Sequence, residues 1–208
     1  MTKLIVTALR GENKRLLQHW GGGRVRHPTP QSRFYTFKNG NALLQTGMGL
    51  QRAREAIRAV IEAQSWDACL LMGVSGGVGE NQSIGSIVRG VAFQMDATPQ
   101  ILHNSWEPTW YSEARNTLNI EDVTFRSCIE PVTDADNRAR VQAGGAQAVD
   151  MESYEILRAC LDANIPFISV RIISDQAGIA AFEEFKKHYP VVADKLQVDL
   201  IPYLDRWN

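Results

Sequence analysis

Four carboxylates each follow closely on a short apolar segment, and they are the residues in this sequence with the clearest capacity for chemistry. They are Glu12, Asp150, Glu152 and Asp175. In α/β proteins, ligands bind at the carboxyl ends of the strands. If the apolar segments are parallel strands, the four acids gather at one edge of the sheet, where their carboxylates can bind a substrate.

Each of these acids also has a purely structural interpretation. Asp150 can cap a helix and Glu152 can lie in its first turn, and either placement stabilises a helix by up to about 1 kcal/mol. Asp175 can close an Asx turn, and Glu12 can be an exposed acid at a helix start. A chance gathering of all four at one edge is less expected than any single structural role, so the pattern favours a binding site.

Two glycine-rich segments follow predicted strands, GVSGGVGE at residues 73–80 and TGMGLQRAR at residues 46–54. The first has neither the GxxxxGK[ST] spacing of a phosphate-binding loop nor the GxGxxG spacing of a dinucleotide site. Glycine lets the backbone approach a ligand or a neighbouring strand closely, and it also permits a tight turn. Both interpretations stay open for both segments.

The elements that must position these residues alternate along the chain. Apolar segments predict strands at residues 4–9, 34–37, 43–46, 68–72, 84–93, 123–129, 147–149 and 166–173, with a hairpin turn at Asn39-Gly40. Helical periodicity predicts helices at residues 52–63, 134–143, 151–163 and 181–200, the last of which Pro190 can break. Residues 19–31 are predicted to form a loop, and residues 96–119 a loop with a short helix. The alternation predicts one α/β domain over residues 1–208, with a mainly parallel or mixed sheet.

Composition excludes several classes of protein. Of the 208 residues, 44% are hydrophobic and 22% charged, and the net charge is −1, so neither nucleic acid nor an anionic membrane is an expected partner. The three cysteines form no CxxC pair, which argues against a zinc site, and each is expected to be reduced and buried. With no signal-peptide pattern and no membrane span, a cytoplasmic protein without metal or cofactor is expected.

Four ordered motifs carry a family resemblance that covers most of the chain. They are LIVTALRGENKRLL at residues 4–17, LLQTGMGLQRAREAI at 43–57, LLMGVSGGVGENQSIGSIV at 70–88 and VDMESYEILRACLDANIPFISVRIISDQAG at 149–178. The chain resembles the purine nucleoside phosphorylase and nucleosidase superfamily. It is most similar to the methylthioadenosine/S-adenosylhomocysteine nucleosidases and to hopanoid-associated phosphorylase-like bacterial proteins. The resemblance implies a three-layer α/β/α fold with a central mixed sheet.

The resemblance also implies roles for the acids. Asp175 is expected to protonate N7 of a purine, Glu12 to activate a water that attacks C1′, and Glu152 to hold the ribose hydroxyls above Met151. Cleaving an N-glycosidic bond passes through an oxocarbenium-like centre, which carboxylates stabilise, and it needs an acid on the leaving group. Further substrate contacts are expected from Ser75, Gly76, Phe167 and Ser174.

The sequence leaves alternatives open for the nucleophile and for the quaternary structure. Phosphorolytic relatives carry an arginine just before the glycine loop, where this chain has Leu71 and Met72, so water is favoured over phosphate. Phosphorolysis stays an alternative, with Arg10, Arg89 or Arg171 as the phosphate site. A non-catalytic nucleoside sensor is the third hypothesis, favoured if Asp175 is exposed and turned away from Glu152. The resemblance further implies a homodimer or higher oligomer, and the segment His103 to Tyr111 can serve its interface.

Overall fold

The computed structural model describes residues 2–96 and 98–207. Its strands are β1 (Lys3–Thr7), β2 (Arg24–Arg26), β3 (Arg33–Thr36), β4 (Ala42–Gln45), β5 (Ala68–Gly77), β6 (Ile87–Met95), β7 (Thr98–His103), β8 (Glu121–Ser127), β9 (Ala148–Asp150) and β10 (Phe167–Asp175). Its helices are α1 (Lys14–His19), α2 (Leu50–Ala63), α3 (Thr109–Leu118), α4 (Ala135–Ala143), α5 (Ser153–Asp162) and α6 (Ala181–Leu204), with a 3-10 turn at Arg10–Glu12.

The strands form one mixed sheet, in the order β10-β6-β8-β9-β5-β1-β4-β3-β2, with β7 added beside β6. Strand β1 runs parallel to both β4 and β5, and β10 runs parallel to β5. Because β10 pairs with β5 as well as with β6, the strands β5, β9, β8, β6 and β10 close into a ring. The predicted mixed central sheet is confirmed.

The helices cover both faces of the sheet, as the side chains of β1 show. Leu4 and Val6 point to one face, into a core shared with helices α2 and α5. Ile5 points to the other face, into a core shared with α1, α3 and α6. Since side chains alternate along a strand, one short apolar strand contributes to both cores. The predicted three-layer α/β/α architecture is confirmed.

The strongest local predictions are confirmed in type, and their predicted ends lie within one residue of the observed ends. Strands β3 and β4 form the expected antiparallel hairpin, in which Phe34 faces Leu44, and Gly40 in its turn has a φ of 84°. That positive φ is the reason the turn contains glycine. Helix α4 begins after Asp134, whose side chain accepts a hydrogen bond from the Asn137 amide at 2.7 Å.

Several segments differ from the predictions. The glycine-rich segment is not a turn from residue 73, because β5 continues through Gly77. Strand β7 lies within residues 96–119 and strand β2 within residues 19–31, where loops were predicted. Helix α6 runs past Pro190 without ending. That position is exposed, so the carbonyl left without its donor can face solvent. Within the described residues, none of the helices combines the length and the apolar character that crossing a membrane requires.

Candidate active site

A cavity of about 290 Å³ opens where β1, β5 and β10 end, and all four sequence-predicted acids line it. The parallel strands β1 and β10 deliver Glu12 and Asp175 as the strand-end rule predicts. Strand β9 runs antiparallel to β5, so the assumption that all these strands are parallel was wrong for Asp150 and Glu152. Both still reach the cavity because β5 extends beyond the end of β1 and pairs there with β9.

Glu12 is held rigidly at one wall of the cavity. Its Oε2 accepts hydrogen bonds from the backbone amides of Ala8 at 2.8 Å and Leu9 at 2.7 Å, and its Oε1 accepts one from Val74 at 2.9 Å. The residue is only 2% exposed. Burial raises the pKa of Glu12 above its usual range, while the Arg171 guanidinium and the three amides oppose this shift. The carboxylate is therefore fixed in place and poised to accept a proton.

Glu152 enters the cavity from the start of helix α5. Its Oε1 accepts a hydrogen bond from the backbone amide of Gly49 at 3.0 Å, which ties it to the second glycine-rich segment. Burial raises the pKa of Glu152 to about 7. The negative charge of Asp150 adds to this shift, and the charge of Arg171 opposes it. Its Oε2 lies 3.6 Å from Nη2 of Arg171.

Asp150 forms a buried ion pair with Arg171 and also accepts a hydrogen bond from the start of helix α5. Arg171 Nη2 lies 2.8 Å from Asp150 Oδ2, and the Arg171 side chain is 0% exposed. Ser127 donates to Asp150 through its hydroxyl at 2.6 Å, and the Ser153 amide donates at 3.1 Å. The N-cap residue of α5 is Glu152, so the predicted N-cap at Asp150 is wrong, although its carboxylate accepts a hydrogen bond from the first amide of the helix. The same carboxylate also balances the charge of the arginine beside Glu152.

Asp175 ends strand β10 and lines the cavity. The Ser174 hydroxyl donates to its Oδ2 at 2.8 Å, and the amide of Ala177 donates to its Oδ1 at 3.0 Å. Burial raises the pKa of Asp175, and these two hydrogen bonds oppose the shift. A carboxyl group whose pKa is raised in a cleft is suited to hold a proton for a leaving group.

The glycines of β5 allow the acids to come this close. Gly73 has a φ of 153°, and a Cβ there would lie 2.5 Å from Oε1 of Glu12 and 2.7 Å from Nη1 of Arg171. A Cβ at Gly76 would lie 2.9 Å from Oδ1 of Asp175. Real Cβ atoms do not approach oxygen or nitrogen so closely. The glycine-rich segment therefore accommodates carboxylates rather than forming a turn that cradles phosphate.

Most of the predicted binding residues lie at this cavity, and one does not. Those that line it are Ser75, Gly76, Met151, Glu152 and Ser174, together with Glu12 and Asp175. Phe167 is 2% exposed and packs edge-on against Phe93 at 6.0 Å in the core. It begins β10 whereas Asp175 ends it, so at ~3.3 Å per residue the two are roughly 25 Å apart. Phe167 therefore takes no part in the site.

Sequence reasoning missed several other residues of the cavity. The segment Cys128–Thr133 follows β8 and contributes five of its six side chains, and the strand-end rule could have found it. Met48 comes from the second glycine-rich segment. Phe182 and Phe185 come from the first turns of α6. They lie three residues apart and therefore on one face of the helix, and this spacing shortly after Asp175 was the available signal.

The ionisable side chains of one sign dominate the cavity, because all the charged residues in its described lining are acidic. Its described lining residues include five acids, Glu12, Glu130, Asp150, Glu152 and Asp175, and no arginine, lysine or histidine. Arg171 balances the charge of Asp150, and burial raises the pKa of Glu12, Glu152 and Asp175, so the lining carries less negative charge than five free carboxylates would. A lining with acids and no cationic side chain still disfavours a free phosphate anion. The remaining wall is largely apolar, with methionine, valine, proline and phenylalanine side chains.

None of the arginines considered for a phosphate site belongs to the lining of this cavity. Arg10 is exposed. Arg89 is buried in an ion pair with Glu107. Arg171 is paired with Asp150 behind the cavity wall. None of the three guanidinium groups therefore lines the space that a substrate would occupy.

Comparison with known proteins places this chain in a family. A model of the phosphorylase superfamily matches residues 2–201, and the chain belongs to this family. Two relatives are 5′-methylthioadenosine/S-adenosylhomocysteine nucleosidases. That of Haemophilus ducreyi is 26% identical over 80% of this chain and 81% of its own length. That of Haemophilus influenzae (strain 86-028NP) is 24% identical over 79% and 80%.

Solved structures share the whole fold. The nucleosidase of the same name from Helicobacter pylori, in complex with butyl-thio-DADMe-Immucillin-A, has a TM-score of 0.87 at 17% identity, over 99% of this chain and 98% of that one. The futalosine hydrolase of Helicobacter pylori has a TM-score of 0.88 at 18% identity, over the same shares. At these identities the likeness establishes the fold.

Proposed function

We propose that this protein hydrolyses the N-glycosidic bond of a 5′-substituted adenosine, releasing the free base and the ribosyl product. The observation that carries the proposal is one cavity in which Glu12, Glu152 and Asp175 converge with no cationic side chain among the described lining residues. Three carboxyl groups suit a reaction whose transition state is an oxocarbenium ion, because they stabilise positive charge and exchange protons. Membership of the phosphorylase superfamily and the curated relatives support the same reaction.

Two proton transfers complete the chemistry. Asp175 donates its proton to N7 of the purine as the bond from N9 to C1′ breaks, so the bonding pair leaves with a neutral base. Glu12 takes a proton from a water whose oxygen bonds to C1′. The overall change adds one water across the glycosidic bond, and a proton passed from Glu12 back to Asp175 through solvent restores the enzyme.

Glu152 is assigned to the ribose. A carboxylate can accept hydrogen bonds from both the 2′- and 3′-hydroxyls, and such charge-assisted bonds are stronger than neutral ones. The Gly49 amide fixes the orientation of this carboxylate at 3.0 Å. Met151 supplies an apolar surface beside it, on which the sugar ring can rest.

The apolar part of the wall supports a 5′ group that is not charged. Met48, Phe182 and Phe185 line the cavity, and Met48 and Phe182 remain exposed at its opening. A thioether or alkyl substituent gains free energy by covering such side chains. A protein of this kind is proposed to act in the cytoplasm and to assemble as a homodimer or higher oligomer.

Release of free base from a panel of nucleosides tests the proposal. Methylthioadenosine, adenosylhomocysteine, adenosine, inosine and a futalosine-type nucleoside are each incubated with the protein, with and without phosphate. Base release from a 5′-substituted adenosine in phosphate-free buffer is the expected result. Release only with phosphate would show a phosphorylase, and tight binding without release would show a nucleoside sensor. Either of these two results refutes the hydrolase.

A further inference from the structure

Two side chains of helix α6 form hydrogen bonds with the turn that carries Glu12. The backbone amide of Gly11 donates a hydrogen bond to the Tyr189 hydroxyl oxygen at 3.0 Å, and the side-chain amide of Gln197 donates to the Gly11 carbonyl at 2.8 Å. Gln197 is completely buried, and its own Oε1 accepts from the Arg15 amide at 2.8 Å. Both backbone groups of the residue that precedes Glu12 are therefore held by side chains of one helix.

These two hydrogen bonds to Gly11 matter because the bonds that Glu12 itself makes do not fully fix its position. Two of its three amide partners, Ala8 and Leu9, lie in the same short segment as Glu12 itself. Those two bonds fix the carboxylate relative to that segment, but they do not fix the segment relative to the rest of the cavity. The Val74 amide does so from β5. The contacts that α6 makes with Gly11 supply the second, independent constraint.

Tyr189 also supports the aromatic wall of the cavity. Its ring stacks on Phe185, with centroids 4.8 Å apart and planes inclined by 22°. Phe185 lines the cavity directly. The hydroxyl lies so close to Gly11 that a methyl group on that residue would overlap it, so glycine is needed for the contact. One side chain thus touches the Glu12 turn at its polar end and the substrate wall at its apolar face.

We propose that Tyr189 is a positioning residue for Glu12, whose hydroxyl fixes the turn that aims the carboxylate at the attacking water. The proposal rests on the hydrolase function proposed above. Tyr189 acts through Glu12 and does not itself touch the reacting atoms. A displacement of about 1 Å in a catalytic group can slow a reaction by about two orders of magnitude, so a single hydrogen bond to its support has a measurable effect.

The variant Tyr189→Phe removes the hydroxyl and keeps the ring on Phe185. Its kcat is expected to fall about fivefold to tenfold, the rate equivalent of one hydrogen bond, while KM stays within about twofold. The control is Tyr203→Phe, a change of the same chemistry on the same helix at a buried tyrosine outside the cavity lining. An unchanged kcat in Tyr189→Phe, or a raised KM with unchanged kcat, overturns the proposal.

A double-mutant cycle separates positioning from general packing. In a Glu12→Gln background the carboxylate is already lost, so adding Tyr189→Phe is expected to change the residual rate by less than about twofold. A full fivefold to tenfold loss in that background overturns the proposal, because the hydroxyl would then act independently of Glu12. Circular dichroism melting of each variant confirms that all of them are folded.

Hydrogen exchange gives a measurement that does not depend on activity. Mass spectrometry of the peptide that covers residues 8–13 is expected to show faster exchange in Tyr189→Phe, with other peptides unchanged. If the wild-type protein releases no base, the hydrolase function fails and this exchange result alone decides whether Tyr189 holds the turn. Faster exchange then supports the grip on the Glu12 turn, and unchanged exchange overturns it.

Discussion

The guanidinium of Arg171 and the carboxylate of Asp150 form a fully buried ion pair, with Nη2 2.8 Å from Oδ2. Arg171 lies in the middle of β10 and Asp150 at the end of β9, 21 positions earlier in the chain. The pair stands directly behind Glu152 and Glu12, and its net charge is zero. The Arg171 charge that favours ionised carboxylates is thereby partly offset by Asp150, which raises the pKa of Glu152.

Breaking this ion pair from one side is expected to destabilise the fold. Arg171→Met leaves the Asp150 carboxylate buried without its counterion, and the free energy of unfolding should fall by about 3–5 kcal/mol. The double variant Arg171→Met/Asp150→Asn should be more stable than Arg171→Met alone, because no uncompensated charge remains. Urea denaturation of four proteins, the wild type, Arg171→Met, Asp150→Asn and the double variant, measures this coupling. Additive losses in the double variant would contradict it.

Asp175→Asn is expected to lose most turnover while still binding substrate. The asparagine cannot donate an acidic proton to the leaving base, so kcat should fall by about 10²- to 10⁴-fold, with KM within a few-fold of wild type. Steady-state kinetics with methylthioadenosine measure this. Asp162→Asn, at the exposed end of α5, is the matched control. Undiminished turnover in Asp175→Asn would remove this residue from the mechanism.

Glu152→Gln is expected to act mainly on ribose binding. The glutamine keeps an oxygen that can accept from the Gly49 amide, but it loses the negative charge that strengthens hydrogen bonds from the ribose hydroxyls. KM should rise about tenfold for ribonucleosides. A 2′,3′-dideoxy analogue provides the control, because it lacks both hydroxyls and should be affected little. Equal effects on both substrates would rule out the ribose assignment.

The same variant should change how stability depends on pH. In the unfolded chain the Glu152 carboxyl loses its proton near the ordinary pKa of 4.5, whereas in the folded protein it keeps the proton to about 7. Between these values the unfolded chain binds fewer protons, so the free energy of unfolding falls as pH rises through this window. Glu152→Gln should therefore raise Tm at pH 8 relative to wild type by more than at pH 5. Parallel shifts at both pH values would refute this.

Gly73→Ala should disturb the site directly, through contacts of the added methyl group with the site residues themselves. The added methyl group would meet Oε1 of Glu12 and Nη1 of Arg171, and the φ of 153° is strained for alanine. We expect a loss of at least tenfold in kcat/KM together with a lower Tm. Gly22→Ala is the control, because a Cβ there meets nothing within 4 Å. A fully active Gly73→Ala protein would show that Glu12 can move freely.

The sequence predicted the position of a site residue best where the strand next to that residue determines its position. Glu12 follows the apolar strand β1 and Asp175 ends the apolar strand β10, so the rule about strand ends was enough to bring them together. The hairpin with Gly40 is likewise a local feature, decided by a few neighbouring side chains. Phe167 was misplaced for the complementary reason, since it stands at the opposite end of the strand that carries Asp175.

What the sequence could not reveal depends on pairing between distant segments. The extension of β5 through Gly77 is stabilised by hydrogen bonds to β9 and β10, and nothing in the glycine-rich segment itself favours a strand. The partnership of Arg171 with Asp150 likewise requires the register of two strands. Phe182 and Phe185 enter the cavity only because α6 packs against β10 and turns its first residues towards Asp175.

The closed ring of β5, β9, β8, β6 and β10 has a consequence for how the active site is lost. Asp150, Arg171 and Asp175 all lie on strands of this ring, and each of its strands is bonded on both sides. One strand cannot slip or fray alone, because a shift by one residue would have to pass around the entire circle. The part of the candidate site that these three residues form is therefore built into a single cooperative unit, and it should persist until that unit unfolds as a whole.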